Sequence, residues 1–506
     1  MAVQIRKVGI VLVLAFLAIF VQLNYVQIFA AERISENPAN ALHLIREYSI
    51  ERGRILTLDG VEIARSEETD GRYKFRRLYP QGELYGHITG FYSVRYGERG
   101  LEATFDDQLV GEAGALSVQD IEDEFLGSGE QGDDIRTTIS SDLQQVARTA
   151  LGAERGAIVA IDLSRDHRGD VRAMWSNPSF DPSPLASFEP RAQRRAWLAL
   201  DPTSSTSPLV NIAARRGYAP GSTFKVVTAA AALQSGRYRP DSSFPDPQRL
   251  EPCEGSRQRG EPCLPLTNQS LTNFTKQTCA GGSINLFEAL RISCDTTFAI
   301  LGLDNPDEVF DMAQSIGFNE PIPFDVGTEA SGYPRIPSEA APFWAYAAIG
   351  QADVSATPLQ MALVAATVAS EGNVPRPRLV REVLDPNGGI VQRFDPEYIR
   401  QAMSADVARV LKEMMVSVVA NGTGTAAQIP GIEVAGKTGT AQTVQGENPH
   451  TWFIAFAPAD NPKLAVAVIV ENGGSFGSEA TGGAVAAPIA RQVLEADRQL
   501  RELPGW

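Results

Sequence analysis

Pro220-Gly221-Ser222-Thr223-Phe224-Lys225 runs directly into Val226-Val227-Thr228-Ala229-Ala230-Ala231-Ala232-Leu233. The Pro-Gly pair signals a turn, and the small-residue run after it reads as a helix closed by Gly236. Ser222 therefore falls at or near a helix N-terminus, with Lys225 one turn further on. Residues three apart share a helix face, so the hydroxyl and the amine can come within hydrogen-bond reach. A serine becomes a nucleophile only when something takes its proton. A lysine can do so if burial or nearby positive charge lowers its pKa. The chain has seven lysines, and only Lys225 has a serine three positions before it. Ser-x-x-Lys also occurs at ordinary helix starts, so its meaning depends on the rest of the chain.

A length of 506 residues allows two or three domains with substantial cores. With 43% hydrophobic and 21% charged residues the composition is that of a globular protein. The formal charge of −16 argues against a nucleic-acid partner, which would need clustered Lys and Arg. Residues 8–21 lack strongly polar side chains and follow Arg6 and Lys7. This pattern predicts an N-terminal membrane anchor over residues 1–31, with the basic flank inside and everything downstream outside. A signal peptide cut near Ala30-Ala31 is the competing reading, and it too exports the rest. Export permits disulfides. Cys253, Cys263, Cys279 and Cys294 allow three pairings; the two local ones, Cys253 with Cys263 and Cys279 with Cys294, are favoured over the alternatives, which include free thiols. There is no Cys-x-x-Cys pair and the four histidines are scattered, so neither a metal nor a cofactor is expected.

Residues 32–133 are polar with short apolar pieces: a strand and turn over 51–60, a loop-rich segment over 79–90, and helical spacing over 100–109. They read as a pedestal that bears no catalytic set, with a boundary in the Gly- and acid-rich residues 127–134. From 134 to 506 the pattern changes. Residues 156–162 and 171–176 form a hairpin of buried strands, helices dominate the middle, and 434–444, 451–457 and 464–471 are three late strands before a closing helix over 487–500. Two early and three late strands with helices between predict one antiparallel sheet and an α+β fold.

Two further motifs lie near these elements. Ser293-Cys294-Asp295 falls on a helix-like segment beginning at Ile284, where a second hydroxyl could pass a proton. Lys437-Thr438-Gly439-Thr440 lies on the first late strand; a glycine in an edge strand invites close approach by an extended peptide, and a lysine with two hydroxyls suits a carboxylate.

Ser-x-x-Lys, then Ser-x-Asp, then Lys-Thr-Gly, in that order, resembles the motif set of penicillin-binding proteins and class A β-lactamases. Tyr218-Ala219 ahead of the first motif, the loop Asn177-Pro178-Ser179-Phe180-Asp181-Pro182, and His450-Thr451-Trp452-Phe453 look like penicillin-binding transpeptidases. Arg52-Gly53-Arg54-Ile55 and Gly100-Leu101-Glu102 are similar to the class B, monofunctional type. The resemblance implies a serine β-lactamase/transpeptidase-like domain, an antiparallel five-stranded sheet with helices on both faces, behind an anchor and a β-rich pedestal of dimerisation-domain type. It also implies a peptidoglycan D,D-transpeptidase, inhibited covalently by β-lactams, whose donor is a stem peptide ending in D-Ala-D-Ala. Catalysis would fall to Ser222, Lys225, Ser293, Asp295 and Lys437, with Thr438, Gly439 and Thr440 binding substrate, and a membrane glycosyltransferase would be a partner. Asp295 departs from the family's commoner Asn: it accepts hydrogen bonds without donating and adds negative charge near both lysines. The alternatives are a β-lactamase or D,D-carboxypeptidase using water as acceptor, and a non-catalytic scaffold. The Glu-x-x-Leu-Asn loop of class A β-lactamases is absent from the sequence.

Overall fold

A computed structural model describes residues 2–25, 44–45, 47–111, 131–253, 262–442 and 447–501. The apolar N-terminal run forms a helix, α1 (Ala2–Asn24, 23 residues). Its side chains from Ile10 to Val21 are mostly more than half exposed. Among the described residues no helix is long and apolar enough to cross a membrane. The Ala30-Ala31 site and residues 127–130 of the 127–134 boundary lie outside the described residues.

The strands that organise the rest are, in chain order, β1 (Ile55–Leu56), β2 (Glu62–Glu68), β3 (Phe75–Leu78), β4 (Asp134–Thr137), β5 (Gly156–Asp162), β6 (Val171–Asn177), β7 (Val380–Leu384), β8 (Ile390–Arg393), β9 (Ala435–Ala441), β10 (His450–Ala457) and β11 (Leu464–Val470). They make two sheets. The five-stranded sheet has the order β9-β10-β11-β5-β6, with every neighbouring pair antiparallel. Both early strands and all three late ones are therefore in it, as the pattern predicted. Every residue of β5 and β11 is buried. Because successive side chains point to opposite faces, both faces must be covered. Helices α2 (Ser141–Leu151) and α6 (Ala486–Arg501) pack on each other and on the sheet, while α5 (Pro358–Ala369) packs on β5, β10 and β11. Ser140 and Thr357 start α2 and α5 by accepting hydrogen bonds from Leu143 N and Gln360 N.

The second sheet, β8-β7-β4-β1-β2-β3, joins the N-terminal part to the middle of the chain. β4 pairs parallel with β1 and antiparallel with β7. The loop after β6 adds another tie, since Ser179 Oγ donates to Glu83 O (2.7 Å) and Phe180 packs with Phe91 and Leu185.

The two N-terminal motifs meet. Glu102, wholly buried, accepts from Arg52 Nε (2.7 Å), Arg77 Nε (2.6 Å) and Tyr79 Oη (3.2 Å). Burial pushes the Glu102 carboxyl up, but Arg77 and Arg52 outweigh it and hold the group below its ordinary range. The arginine and glutamate motifs are thus two halves of one buried ion cluster.

Two expectations need correction. The helix expected from Ile284 onward does not exist as one piece: Ile284 belongs to a strand (Gly282–Asn285), a short helix follows (Leu286–Arg291), and α4 (Asp295–Asp304) begins only after a break. The break falls where Ser293 takes φ 63°, a left-handed conformation that no helix tolerates and that costs a non-glycine residue about 1 kcal/mol or more. Likewise 100–109 is two separate turns, Leu101–Thr104 and Asp106–Leu109, divided at Phe105.

Replacing Glu102 with Ala would leave two buried guanidiniums without their shared carboxylate. A loss of about 3–5 kcal/mol is expected, measurable as a lower denaturant midpoint; an unchanged midpoint would remove the cluster from the list of structural supports.

Candidate active site

Ser222 lies in a single 3₁₀ turn, Gly221–Phe224, which leads into α3 (Lys225–Gln234). The first residues of α3 are wholly buried, so Lys225 carries its amine into the interior. The turn is held from two sides. Trp452 on β10 donates its indole N–H to Ala219 O (3.0 Å), and Gly221 N donates to Gly350 O (2.9 Å). β9 then runs directly against it: a Cβ at Gly439 would stand 2.8 Å from Pro220 O and 2.9 Å from Thr223 Cγ2. Only glycine permits that approach, which brings the Thr440 backbone beside Gly221. β9 is the edge strand of the sheet, so its outer rim is open to a ligand.

The second motif completes the centre. Ser293 Oγ accepts from Lys437 Nζ (2.8 Å) and lies 3.3 Å from Lys225 Nζ. Lys225 Nζ also donates to Ser293 O (2.8 Å) and to Asp295 Oδ1 (2.6 Å), and Lys437 Nζ donates to Thr438 O (2.9 Å). The left-handed Ser293 is what aims one hydroxyl at both amines. The three pieces of chain the motifs come from are therefore together. One detail differs from the expected nucleophile–base contact: the partners of Lys225 are Ser293 and Asp295, and among the described residues no hydrogen bond joins Lys225 to Ser222.

Electrostatics follow from the geometry. Both lysines are completely buried. Burial pushes the Lys225 amine below its ordinary value, and Asp295 opposes the shift. Lys437 is pushed well below, first by burial and then by the charge of Lys225, against a weaker pull from Asp295. One carboxylate faces two amines, and it is bonded to Lys225. A buried amine without a counter-charge favours its neutral form.

Ser222, Phe274, Gln277, Ser293, Thr438 and Thr440 are among the residues lining a cleft of about 550 Å³ over this centre. One wall of the cleft, residues 273–279, has no counterpart in the three motifs. It is fastened by Phe274 N donating to Asp295 Oδ2 (3.0 Å), Thr296 N donating to Asn273 Oδ1 (3.0 Å) and the Cys279–Cys294 disulfide. The other bridge is Cys253–Cys263, so both local pairings form. Asp295 thus holds the lysine with one oxygen and the wall with the other. Thr423 is a further lining residue beyond the motifs; its hydroxyl meets Thr438 Oγ1 at 2.6 Å. The stretch Thr481-Gly482-Gly483 also borders the cleft, with Gly482 N donating to Thr440 Oγ1 (3.3 Å). Nothing in the local sequence of Phe274 or Thr423 marked them, though the paired glycines at 482–483 are a close-approach signal.

Known proteins resemble this chain over nearly its whole length. Residues 156–495 match the penicillin-binding protein transpeptidase domain, and residues 52–135 match the penicillin-binding protein A dimerisation domain. The chain belongs to the penicillin-binding protein transpeptidase family. It is 39% identical to the peptidoglycan D,D-transpeptidase PbpA of Mycolicibacterium smegmatis over 98% of this chain and 99% of that one. With PbpA of Mycobacterium tuberculosis it shares 37% identity over 99% of each chain. The solved penicillin G acyl-enzyme complex of penicillin-binding protein A from M. tuberculosis superposes with a TM-score of 0.80 at 37% identity, over 89% of this chain and 100% of that one.

Changing Asp295 to Asn removes the charge that favours the protonated form of Lys225. The Lys225 pKa should fall further, so the neutral amine persists to lower pH. If acylation by a penicillin is followed against pH, its acid limb is expected to move to lower pH; a shift upward, or none, would contradict this role for Asp295.

Proposed function

We propose that this chain is a serine-type peptidoglycan D,D-transpeptidase that cross-links stem peptides through a Ser222 acyl-enzyme and is blocked covalently by β-lactams. The observation that carries the reading is the Ser293 hydroxyl shared by two buried lysines beneath a cleft that Ser222 lines.

The charge balance suggests the order of events. In the empty site the proton is held on Lys225 by Asp295, and Lys437 is the amine more easily deprotonated. A donor peptide brings its own terminal carboxylate to the rim of β9, where Lys437, Thr438 and Thr440 receive it. A second negative charge stabilises Lys437 as a cation, and that cation in turn depresses Lys225. The proton then passes from Lys225 to Lys437 through the Ser293 hydroxyl, which is bonded to one amine and close to the other. Neutral Lys225 takes the Ser222 proton, and Ser222 Oγ attacks the penultimate D-Ala carbonyl. The backbone N–H groups of Ser222 and Thr440 receive the oxyanion, Ser293 delivers a proton to the departing D-Ala amine, and the amine of a neighbouring stem peptide displaces the enzyme. Gly439 serves by its absence of side chain, which lets β9 close on the Ser222 turn.

α1 is the membrane anchor in this reading. Its 23 residues extend about 34 Å, its apolar side chains are exposed, and Arg6 and Lys7 precede the apolar run. Residues 1–31, 32–133 and 134–506 are then anchor, pedestal and transpeptidase, with catalysis outside the cytoplasmic membrane. A separate membrane glycosyltransferase supplies the glycan strands.

Labelling with a fluorescent penicillin should be stable in the wild-type protein and absent in Ser222→Ala; rapid loss of label would favour water as the acceptor. Lipid-linked substrate given to the full chain together with a polymerase should yield cross-linked product, and the same mixture containing Ser222→Ala should not. Product of equal amount from both would overturn the assignment.

A further inference from the structure

A second cavity, of about 380 Å³, shares no residue with the catalytic cleft. It is lined by Arg165, Arg168, Arg378, Arg381 and Arg393, with Asp166 and Asp395 the acidic residues and Phe394 and Pro396 the apolar ones. In a chain of formal charge −16, five guanidiniums at one cavity are a marked local reversal of sign. Three chain segments supply them: the turn between β5 and β6, the approach to and first part of β7, and the end of β8.

The five are not equivalent. Arg378 is buried, paired with Asp170 and bonded to Phe394 O, so it is structural. Arg393 pairs with Glu382 (2.9 Å), which Arg136 also holds. Arg165, Arg168 and Arg381 have no carboxylate partner among the described residues. Arg168 lies over the Tyr398 ring (4.6 Å), and Arg381 meets the His167 ring at Nδ1 (3.2 Å). Set against Asp166 and Asp395, these three leave an excess of cation that neighbouring side chains do not cancel. Each guanidinium offers a planar fork of donors. A carboxylate presents two oxygens and is saturated by one or two forks, whereas a tetrahedral phosphoryl group presents three or more and can meet a fork on each side.

We propose that this cavity is an anion site that takes a phosphoryl group, through Arg165, Arg168 and Arg381. The same chemistry could come from a soluble or lipid-linked diphosphate or from the headgroup of an anionic phospholipid.

The test is calorimetric titration of the detergent-solubilised full chain, at fixed ionic strength, with inorganic diphosphate and separately with monomeric dihexanoyl phosphatidylglycerol. Saturable diphosphate binding is expected, weakened at least tenfold in Arg165→Ala/Arg381→Ala while the rate of penicillin acylation stays at the wild-type value. Should that double variant fail to acylate, Arg165→Ala alone, at an exposed position, carries the comparison. Competition by phosphatidylglycerol would assign the lipid headgroup as source, and its failure to compete would assign the diphosphate. The proposal is overturned if neither phosphoryl probe saturates, if the variants bind as the wild type does, or if a glutamate-rich peptide binds more tightly than diphosphate.

Discussion

One hydroxyl placed between two buried amines is the constraint around which this molecule is built. Removing two ammonium groups from water is costly, and one carboxylate cannot offset both. The fold tolerates the arrangement because three separate pieces of chain hold it: the N-terminus of α3, the break before α4 and the edge strand β9. Ser293 sustains backbone strain at the meeting point. Strain and unbalanced charge concentrate where reactivity is needed, and the surrounding sheet, buried on both faces, supplies the rigidity that keeps them in place.

The sequence made some of this visible because the relevant rules are local. Ser222 and Lys225 are three apart on a helix, so their common face follows from helix geometry alone. The five core strands are short apolar runs bounded by turns, and the edge position of Lys437 follows from β9 being the first of three late strands. The break at Ser293 could not be seen: apolar spacing continues from Leu286 through Leu301, and a left-handed serine is decided by the partners of its side chain. The direct Ser222–Lys225 contact suggested by spacing gave way to Asp295, which competes for the same amine. Residues such as Thr423 and Phe274 stayed hidden because only tertiary folding brings them to the cleft.

Asp295 links two properties that a sequence motif would treat separately. Its two oxygens tie the protonation of Lys225 to the position of the 273–279 wall. The adjacent Cys294 bridges to Cys279 across 15 residues, a closure worth about 3 kcal/mol. The wall and the charged centre therefore form one unit, and Asp in place of the family's commoner Asn gives that unit a negative charge to set against the Lys225 amine.

The sheet that runs from β8 through β4 to β3 makes the N-terminal region something other than a spacer. Strand β4 is hydrogen-bonded to both regions at once, so neither can swing on a hinge without breaking backbone pairs in shear. A torque applied to the N-terminal region would be delivered through β7 to the segment leading back to α5, which rests on the five-stranded sheet. The N-terminal region is in that sense a lever arm, stiff along its length and coupled at its far end to the floor of the enzyme.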